Sequence, residues 1–102
     1  MLNQTVLVGR LVNKPEKNDK GAIITISIPR SFKNIDGEYE NDIITARLFG
    51  SVADSTCEYC KKGDLIGVKG RLQSTQMASG YIMELIAERI TFLSSKKEEM
   101  EK

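Results

Sequence analysis

The chain has 102 residues, of which 40% are hydrophobic and 28% charged, a size and composition that predict one soluble globular domain. Its 15 basic and 14 acidic residues give a net charge of +1, so a nucleic-acid partner would require the basic residues to be segregated onto one surface. No apolar run is long enough to cross a bilayer, the amino terminus lacks a signal-peptide pattern, and histidine is absent, so we expect a cytoplasmic protein without the commonest general base and metal ligand.

The first part of the chain carries strand patterns. Residues 5–11 are rich in β-branched side chains, and Gly9 in their middle suggests a bulge or a bend. Residues 13–21 are polar, contain a proline and end in glycine, which predicts a loop. Residues 22–28 alternate, with three isoleucines on one face, and Pro29 is expected to end regular pairing there.

A hairpin signal and a strand of mixed character follow. Asp36 and Gly37 are a good turn pair, and residues 42–49 predict the third strand. One face of this strand mixes apolar, basic and aromatic side chains, which is unusual for a plain core face: Ile43, Thr45, Arg47 and Phe49.

Residues 51–62 interrupt the β pattern with side chains at helical spacing and predict one short amphipathic helix. Ser51 is the predicted N-cap, and Gly63 is the predicted stop. The helix contains Cys57 and Cys60 at Cys-x-x-Cys spacing. A zinc site would need two further ligands and a thioredoxin-like site a βαβ context, so we interpret both thiols as small core-facing residues and predict no metal site and no cofactor.

Two more strands complete the pattern. Residues 65–73 alternate, residues 74–80 predict a turn or hairpin tip, and residues 81–93 form a long final strand. The order is three strands, one helix and two strands, which fits a closed five-stranded barrel with the helix between strands three and four, an open α+β sheet being the alternative. We predict one domain in residues 1–93 and a short, charged, disordered tail in residues 94–102.

Short motifs also recur along residues 1–93 in a definite order. They are residues 3–11 (NQTVLVGRL) followed by Pro15-Glu16, residues 30–34 (RSFKN) with Gly37-Glu38 and Asp42, Leu48-Phe49-Gly50, Lys61-Lys62-Gly63, residues 67–73 (GVKGRLQ), and residues 84–92. In order and spacing they resemble the bacterial single-stranded DNA-binding proteins. The resemblance implies an all-β OB fold (a five-stranded Greek-key barrel), a homotetramer wrapped by single-stranded DNA, and roles in DNA replication, recombination and repair.

Binding of unpaired strands without sequence preference needs flat π-surfaces for the bases. Phe32 and Phe49 match aromatic stacking positions of the family, whereas the sequence pattern alone favours ordinary core for each ring. Ile43 and Met77 stand where family members often carry an aromatic residue, and Tyr81 could compensate from across the hairpin. The sequence therefore predicts base stacking on Phe32, Phe49, Tyr81 and Met77, with fewer strong stacks and weaker affinity than in aromatic-rich relatives.

The same mode of binding needs a basic track for the phosphates. The candidates are Arg10, Arg30, Lys33, Arg47, Lys62 and Arg71. Each alone is more simply a solvated surface charge, and the set carries meaning only if the fold places it on one track.

The predicted function is sequence-non-specific binding and protection of single-stranded DNA, with no membrane partner and no catalytic residues, since no convergent acid, base or metal set can be assembled. Alternatives are a primosome-type or RNA-binding OB protein and a protein–protein OB module. Family members commonly end in a long linker with an acidic tip that recruits repair and replication enzymes. The near-neutral residues 94–102 predict no such recruitment, as in short tailless paralogues or phage and mobile-element versions.

Overall fold

A computed structural model describes residues 1–95, which contain six strands and one helix. In chain order these elements are β1 (Thr5–Leu11), β2 (Glu16–Asn18), β3 (Gly21–Lys33), β4 (Tyr39–Leu48), α1 (Gly50–Tyr59), β5 (Leu65–Met77) and β6 (Gly80–Ser94). No helix within residues 1–95 has the length and apolar character needed to span a membrane. Residues 96–102 of the predicted tail lie outside the described part of the chain.

Five of the strands close into a barrel. They are hydrogen-bonded in the order β1-β5-β6-β4-β3, and the ring closes where Arg10 and Leu11 of β1 pair with Ser27 and Ile26 of β3. All pairs are antiparallel except β4 with β6. The predicted five-stranded barrel with a helix after its third strand is confirmed, and the alternative of an open α+β sheet is wrong.

The barrel interior is filled by alternate residues of its strands, because successive side chains of a strand point to opposite faces. The largest fully buried side chains are Ile24, Ile26, Leu48, Ile66 and Val68. The isoleucine face predicted for residues 22–28 is therefore confirmed at its centre as the inward face of β3. Leu72, further along β5, is exposed because β5 and β6 continue as a hairpin beyond the residues that enclose the core.

The segment predicted as a loop, residues 13–21, contains the short strand β2. It pairs with the start of β3, from Glu16 opposite Ile23 to Asn18 opposite Gly21, and all three of its residues are exposed. A short, charged strand is the usual form of an exposed sheet edge. The polar composition that predicted a loop is thus the composition of an edge strand.

Both hairpins are longer than predicted. Pro29 does not end the pairing of β3: it lies opposite Asn41, and after a register shift the strand continues to Lys33 opposite Tyr39. Residues 74–80, predicted as a turn, are mostly strand, since β5 runs to Met77 and β6 begins at Gly80. Most side chains of these extensions are exposed on both faces, so core periodicity could not reveal them.

The helix also begins and ends earlier than predicted. Its N-cap is Phe49, which keeps the extended backbone of β4 and makes no side-chain capping hydrogen bond, so the prediction of Ser51 is wrong. The helix ends at Tyr59, with Cys60 as its C-cap, rather than at Gly63. Gly63 instead has a positive φ of 91° in the turn that leads into β5.

Cys57 of α1 and Cys60, the C-cap of the helix, both pack toward the core. Cys60 belongs to the hydrophobic core, Cys57 is half-buried against it, and both thiols are free. Burial, and secondarily the charge of Asp64, raises the pKa of the Cys60 thiol. Within residues 1–95, no group of three or more histidine, cysteine or acidic side chains could hold a metal ion.

Candidate nucleic-acid interface

One side of the barrel sheet, here called the outer face, is turned away from the core and carries Tyr39, Ile43, Arg47 and Phe49 of β4 and its extension. Tyr39, Ile43 and Phe49 are exposed and Arg47 is partly exposed. They share this face because every second residue of an extended strand points the same way, and Phe49 still has extended backbone angles (φ −133°, ψ 157°). The mixed face predicted from the sequence is therefore a surface and not part of the core.

Phe49 lies at the base of this face, 42% exposed, with a cation over its ring. The guanidinium carbon of Arg47 is 5.5 Å from the ring centroid, within the range of a cation–π contact. Arg47 also donates a hydrogen bond from Nη1 to Glu84 Oε2 at 2.9 Å. The alternative interpretation of Phe49 as a sealed core residue does not hold.

The far end of the face is the tip of the β3–β4 hairpin. Lys33 Nζ lies 5.7 Å from the ring centroid of Tyr39, and both rings of the tip are exposed, Phe32 by 65%. The turn is held by Asn34, whose side-chain oxygen accepts hydrogen bonds from the backbone N–H groups of Asp36 and Glu38. Tyr39 and Phe49 are ten positions apart, roughly 33 Å of strand, so one planar ligand the size of a base could not contact both rings.

Arg10 lies on the outer face, as the register of β1 with β3 and of β3 with β4 shows. It lies opposite Ser27, which lies opposite Ile43, so the three side chains form a row across β1, β3 and β4. An open groove of about 480 Å³ runs beside this row where β1 separates from β3, and its lining includes Arg10, Ser27 and Asn41. The guanidinium of Arg10 also donates to the carbonyl oxygen of Gly63 at 3.1 Å.

Arg30 differs from the other candidates because two carboxylates hold it. It donates to Asp42 Oδ1 at 2.7 and 3.1 Å and to Glu40 Oε1 at 2.8 Å. Asp42 and Glu40 alternate with the outer-face residues of β4, so Arg30 lies on the opposite side of the hairpin. The hydrogen bond from Arg30, reinforced by its charge, lowers the pKa of Asp42 below its ordinary value.

The β5–β6 hairpin separates the two remaining stacking candidates. Met77 shares a face with Thr75, whose register partner is Ile82, whereas Tyr81 lies opposite Gln76 and therefore points to the other face. Thr75 donates to Glu84, which places Met77 on the outer face with Arg47. The structure thus brings Met77 to the Phe49 side of the barrel and takes Tyr81 away from it.

The last two basic candidates occupy different positions. Arg71 lies on the outer face next to β6 and forms an ion pair with Glu88 at 3.4 Å. Lys62 is exposed in the turn after α1. Neither Lys33 nor Lys62 makes an ion pair within residues 1–95, so no carboxylate in this part of the chain is paired with their charges.

Comparison with known proteins agrees with this geometry. The sequence matches the family model described as "Single-strand binding protein family" over residues 2–93. The chain belongs to the single-strand binding protein family. Among its relatives is single-stranded DNA-binding protein B of Bacillus subtilis, which is 37% identical with 97% of this chain and 96% of the relative covered. Another is single-stranded DNA-binding protein 1 of Staphylococcus aureus, which is 40% identical with coverages of 94% and 68%.

Solved structures of the same family share the barrel. A deletion mutant of the single-stranded DNA binding protein from Thermus aquaticus superposes with a TM-score of 0.75 at 27% identity. The match covers 91% of this chain and 51% of that one, so this chain spans about half the length of that relative. A Plasmodium falciparum SSB in complex with ssDNA has a TM-score of 0.76 at 21% identity over 92% and 96% of the two chains, and shows the shared fold.

Two residues of the site in this single-strand binding family member were not predicted from the sequence. Tyr39 lies outside residues 42–49, the predicted third strand. It is four positions before Ile43, so the sequence would place it on the same face if the predicted strand began earlier. Glu84 is a partner of Arg47 only because β4 and β6 run side by side. Local sequence pattern contains no information on that pairing.

Proposed function

We propose that this protein binds single-stranded DNA without sequence preference and protects it during replication, recombination and repair. The observation that carries the proposal is the exposed ring of Phe49 beneath Arg47, on a sheet face that also presents Ile43, Met77 and Tyr39. Base stacking on aromatic rings tolerates every sequence, because every base has a π-face. Membership of the single-strand binding protein family supports the same conclusion.

Phosphates would be contacted by cations that flank these rings. Lys33 at the hairpin tip and Arg10 beside the groove lie on the outer face, and Lys62 adds an uncompensated charge. The net charge of only +1 favours a mode in which stacking supplies much of the affinity. Phe32 precedes Lys33 in β3 and alternates with it, so Phe32, like Arg30 and Tyr81, could contact only a strand that passes to the other side of its hairpin.

A titration tests the proposal. Fluorescence anisotropy of labelled oligo-dT, of a duplex of equal length and of an RNA oligomer is measured at two salt concentrations. We expect binding of oligo-dT that weakens with salt, and little binding of the duplex. Preference for the RNA would instead support the RNA-binding alternative, and no binding to any of the three would support a protein–protein module.

We propose in addition that the protein acts as a homo-oligomer, a tetramer by resemblance. Residues 5–10 of β1 pair with β5 along one edge, while only Arg10 and Leu11 pair with β3, so the other edge of the strand before Arg10 has no strand partner within residues 1–95. Val6 and Val8 are exposed on the same strand. A second copy that pairs with this edge would satisfy its backbone groups and place further side chains beside the valines.

The proposed role is binding rather than catalysis, in the cytoplasm and on the nucleoid when DNA is bound. The described site presents rings, methyl groups and ion-paired arginines. These groups hold a strand in place but do not activate a nucleophile.

A further inference from the structure

Glu84 of β6 lies at the Phe49 site, and both of its carboxylate oxygens have partners on neighbouring strands. Oε2 accepts the hydrogen bond from Arg47 Nη1 at 2.9 Å, and Oε1 accepts one from the Thr75 hydroxyl at 3.3 Å. Arg47 in turn lies over the ring of Phe49. A single carboxylate therefore links β4, β5 and β6 at the place where a base would stack.

This ion pair is more shielded from water than the others. The side chains of Arg47 and Glu84 are 32% and 23% exposed, whereas in every other ion pair within residues 1–95 each side chain is at least 38% exposed. Exposed pairs contribute little because water and salt screen them. Glu84 should therefore continue to neutralise the charge of Arg47 at moderate salt.

The pair limits what Arg47 can contribute to binding of a phosphate. A cation that neutralises a phosphate releases a counterion, and for single strands the logarithm of affinity then falls with the logarithm of salt with a slope of about −0.7 per phosphate. An arginine already paired with a carboxylate adds little to that slope. Lys33, which makes no ion pair within residues 1–95, has no such compensation.

We propose that Glu84 is a positioning residue, which holds the Arg47 guanidinium over Phe49 and cancels its charge there. Arg47 then organises the stacking surface, and other cations neutralise the phosphates. This inference rests on the proposed binding of single-stranded DNA, and it gives Arg47 a role different from the phosphate contact predicted from the sequence. It also makes Glu84 a determinant of how strongly binding depends on salt.

The substitution Glu84→Gln tests the inference, because it removes the negative charge and keeps the size and a hydrogen-bonding oxygen. We expect Glu84→Gln to bind oligo-dT more tightly than the wild type at low salt, and its affinity to fall with salt with a logarithmic slope steeper by about 0.7. The gain in affinity over the wild type should therefore shrink roughly threefold between about 50 and 200 mM salt. Glu58→Gln is the matched control. It removes the same charge from an exposed position on α1, where Glu58 makes no ion pair within residues 1–95, and should leave the slope as in the wild type.

The double variant Arg47→Gln/Glu84→Gln supplies a second readout and leaves neither charge without its partner. Its slope should equal that of the wild type, whereas loss of a true phosphate contact would make it shallower by about 0.7. A shallower slope in the double variant would overturn the inference and leave the proposed function standing. A wild-type slope in Glu84→Gln would do the same, given that the wild type and Glu84→Gln both bind oligo-dT. Failure of the wild type to bind oligo-dT would overturn the proposed function as well.

Discussion

At the scale of single residues, Phe49 combines an exposed ring with a cation held over it. Replacement by alanine removes the platform, and we expect Phe49→Ala to weaken binding of oligo-dT by about 1–3 kcal/mol, measured by anisotropy. Phe92→Ala is the matched control, because Phe92 is also a half-exposed phenylalanine but borders the groove between β6 and the end of α1. A variant Phe49→Ala with lower stability and unchanged affinity would show that the ring serves the fold and not the ligand.

Asp42 gives a second test at this scale, through the pH dependence of stability. Its folded-state pKa is lowered from the ordinary value of 3.8 by the hydrogen bond and charge of Arg30. The ionised carboxylate therefore stabilises the fold above that value, and the contribution is lost as the pH falls through the lowered pKa. Because this ion pair is exposed and screened by water, we expect Asp42→Asn to melt only slightly below the wild type at neutral pH, with a gap that narrows in acid.

The control for this prediction is Asp19→Asn. Asp19 is an exposed carboxylate without an ion pair within residues 1–95, so its loss should leave the melting temperature unchanged across the same pH range. A gap between Asp42→Asn and the wild type that persists undiminished at low pH would mean that the side chain contributes by packing, and not by its charge.

Residues of the site differ in how far the sequence could predict them. Arg47 and Phe49 were predictable because alternation along one strand places them together on a face that is too polar for a core. Glu84 was not, because the contact with Arg47 depends on the register between two strands that are distant in the chain. Arg30 is a phosphate candidate by sequence, but Asp42 and Glu40 face it from across the hairpin, which composition alone does not show.

At the scale of elements, the β5–β6 hairpin sets which side chains one strand of DNA can contact together. Met77 shares the outer face with Glu84, whereas Tyr81 points to the opposite face. The barrel itself was predictable, since its buried strands have clear two-residue periodicity. The hairpin was not, because strand residues exposed on both faces have no apolar alternation, and the relation of Met77 to Tyr81 depends on the length of the turn.

A tryptophan placed at each position tests this arrangement, since the natural chain has none. We expect Met77→Trp to raise affinity for oligo-dT by about 1 kcal/mol, the lower end of the value of one stack, and its fluorescence to be quenched on binding. The control Tyr81→Trp should show neither effect. Equal quenching in both variants would mean that the DNA encloses the hairpin rather than following the outer face.

At the scale of the whole molecule, a barrel of this size buries a modest core, and association between copies would add to its stability. The open edge of β1 is the feature that fits such an interface. We expect Val6→Lys to lower the mass measured by light scattering while the circular dichroism spectrum is retained, because a lysine on an exposed edge opposes pairing with another strand. Ile35→Lys, at the fully exposed tip of the β3–β4 hairpin, is the control and should keep the wild-type mass.

The Val6→Lys variant also separates the affinity for DNA contributed by one outer face from the affinity contributed by the assembled oligomer. Faces joined in one oligomer bind a long strand with a high effective concentration, whereas a strand too short to reach a second face gains nothing from the assembly. Val6→Lys should therefore lose affinity for long oligo-dT and keep it for an oligomer that a single outer face accommodates. Loss of affinity for both lengths would show that β1 itself contacts DNA, and an unchanged mass would place the interface elsewhere on the barrel.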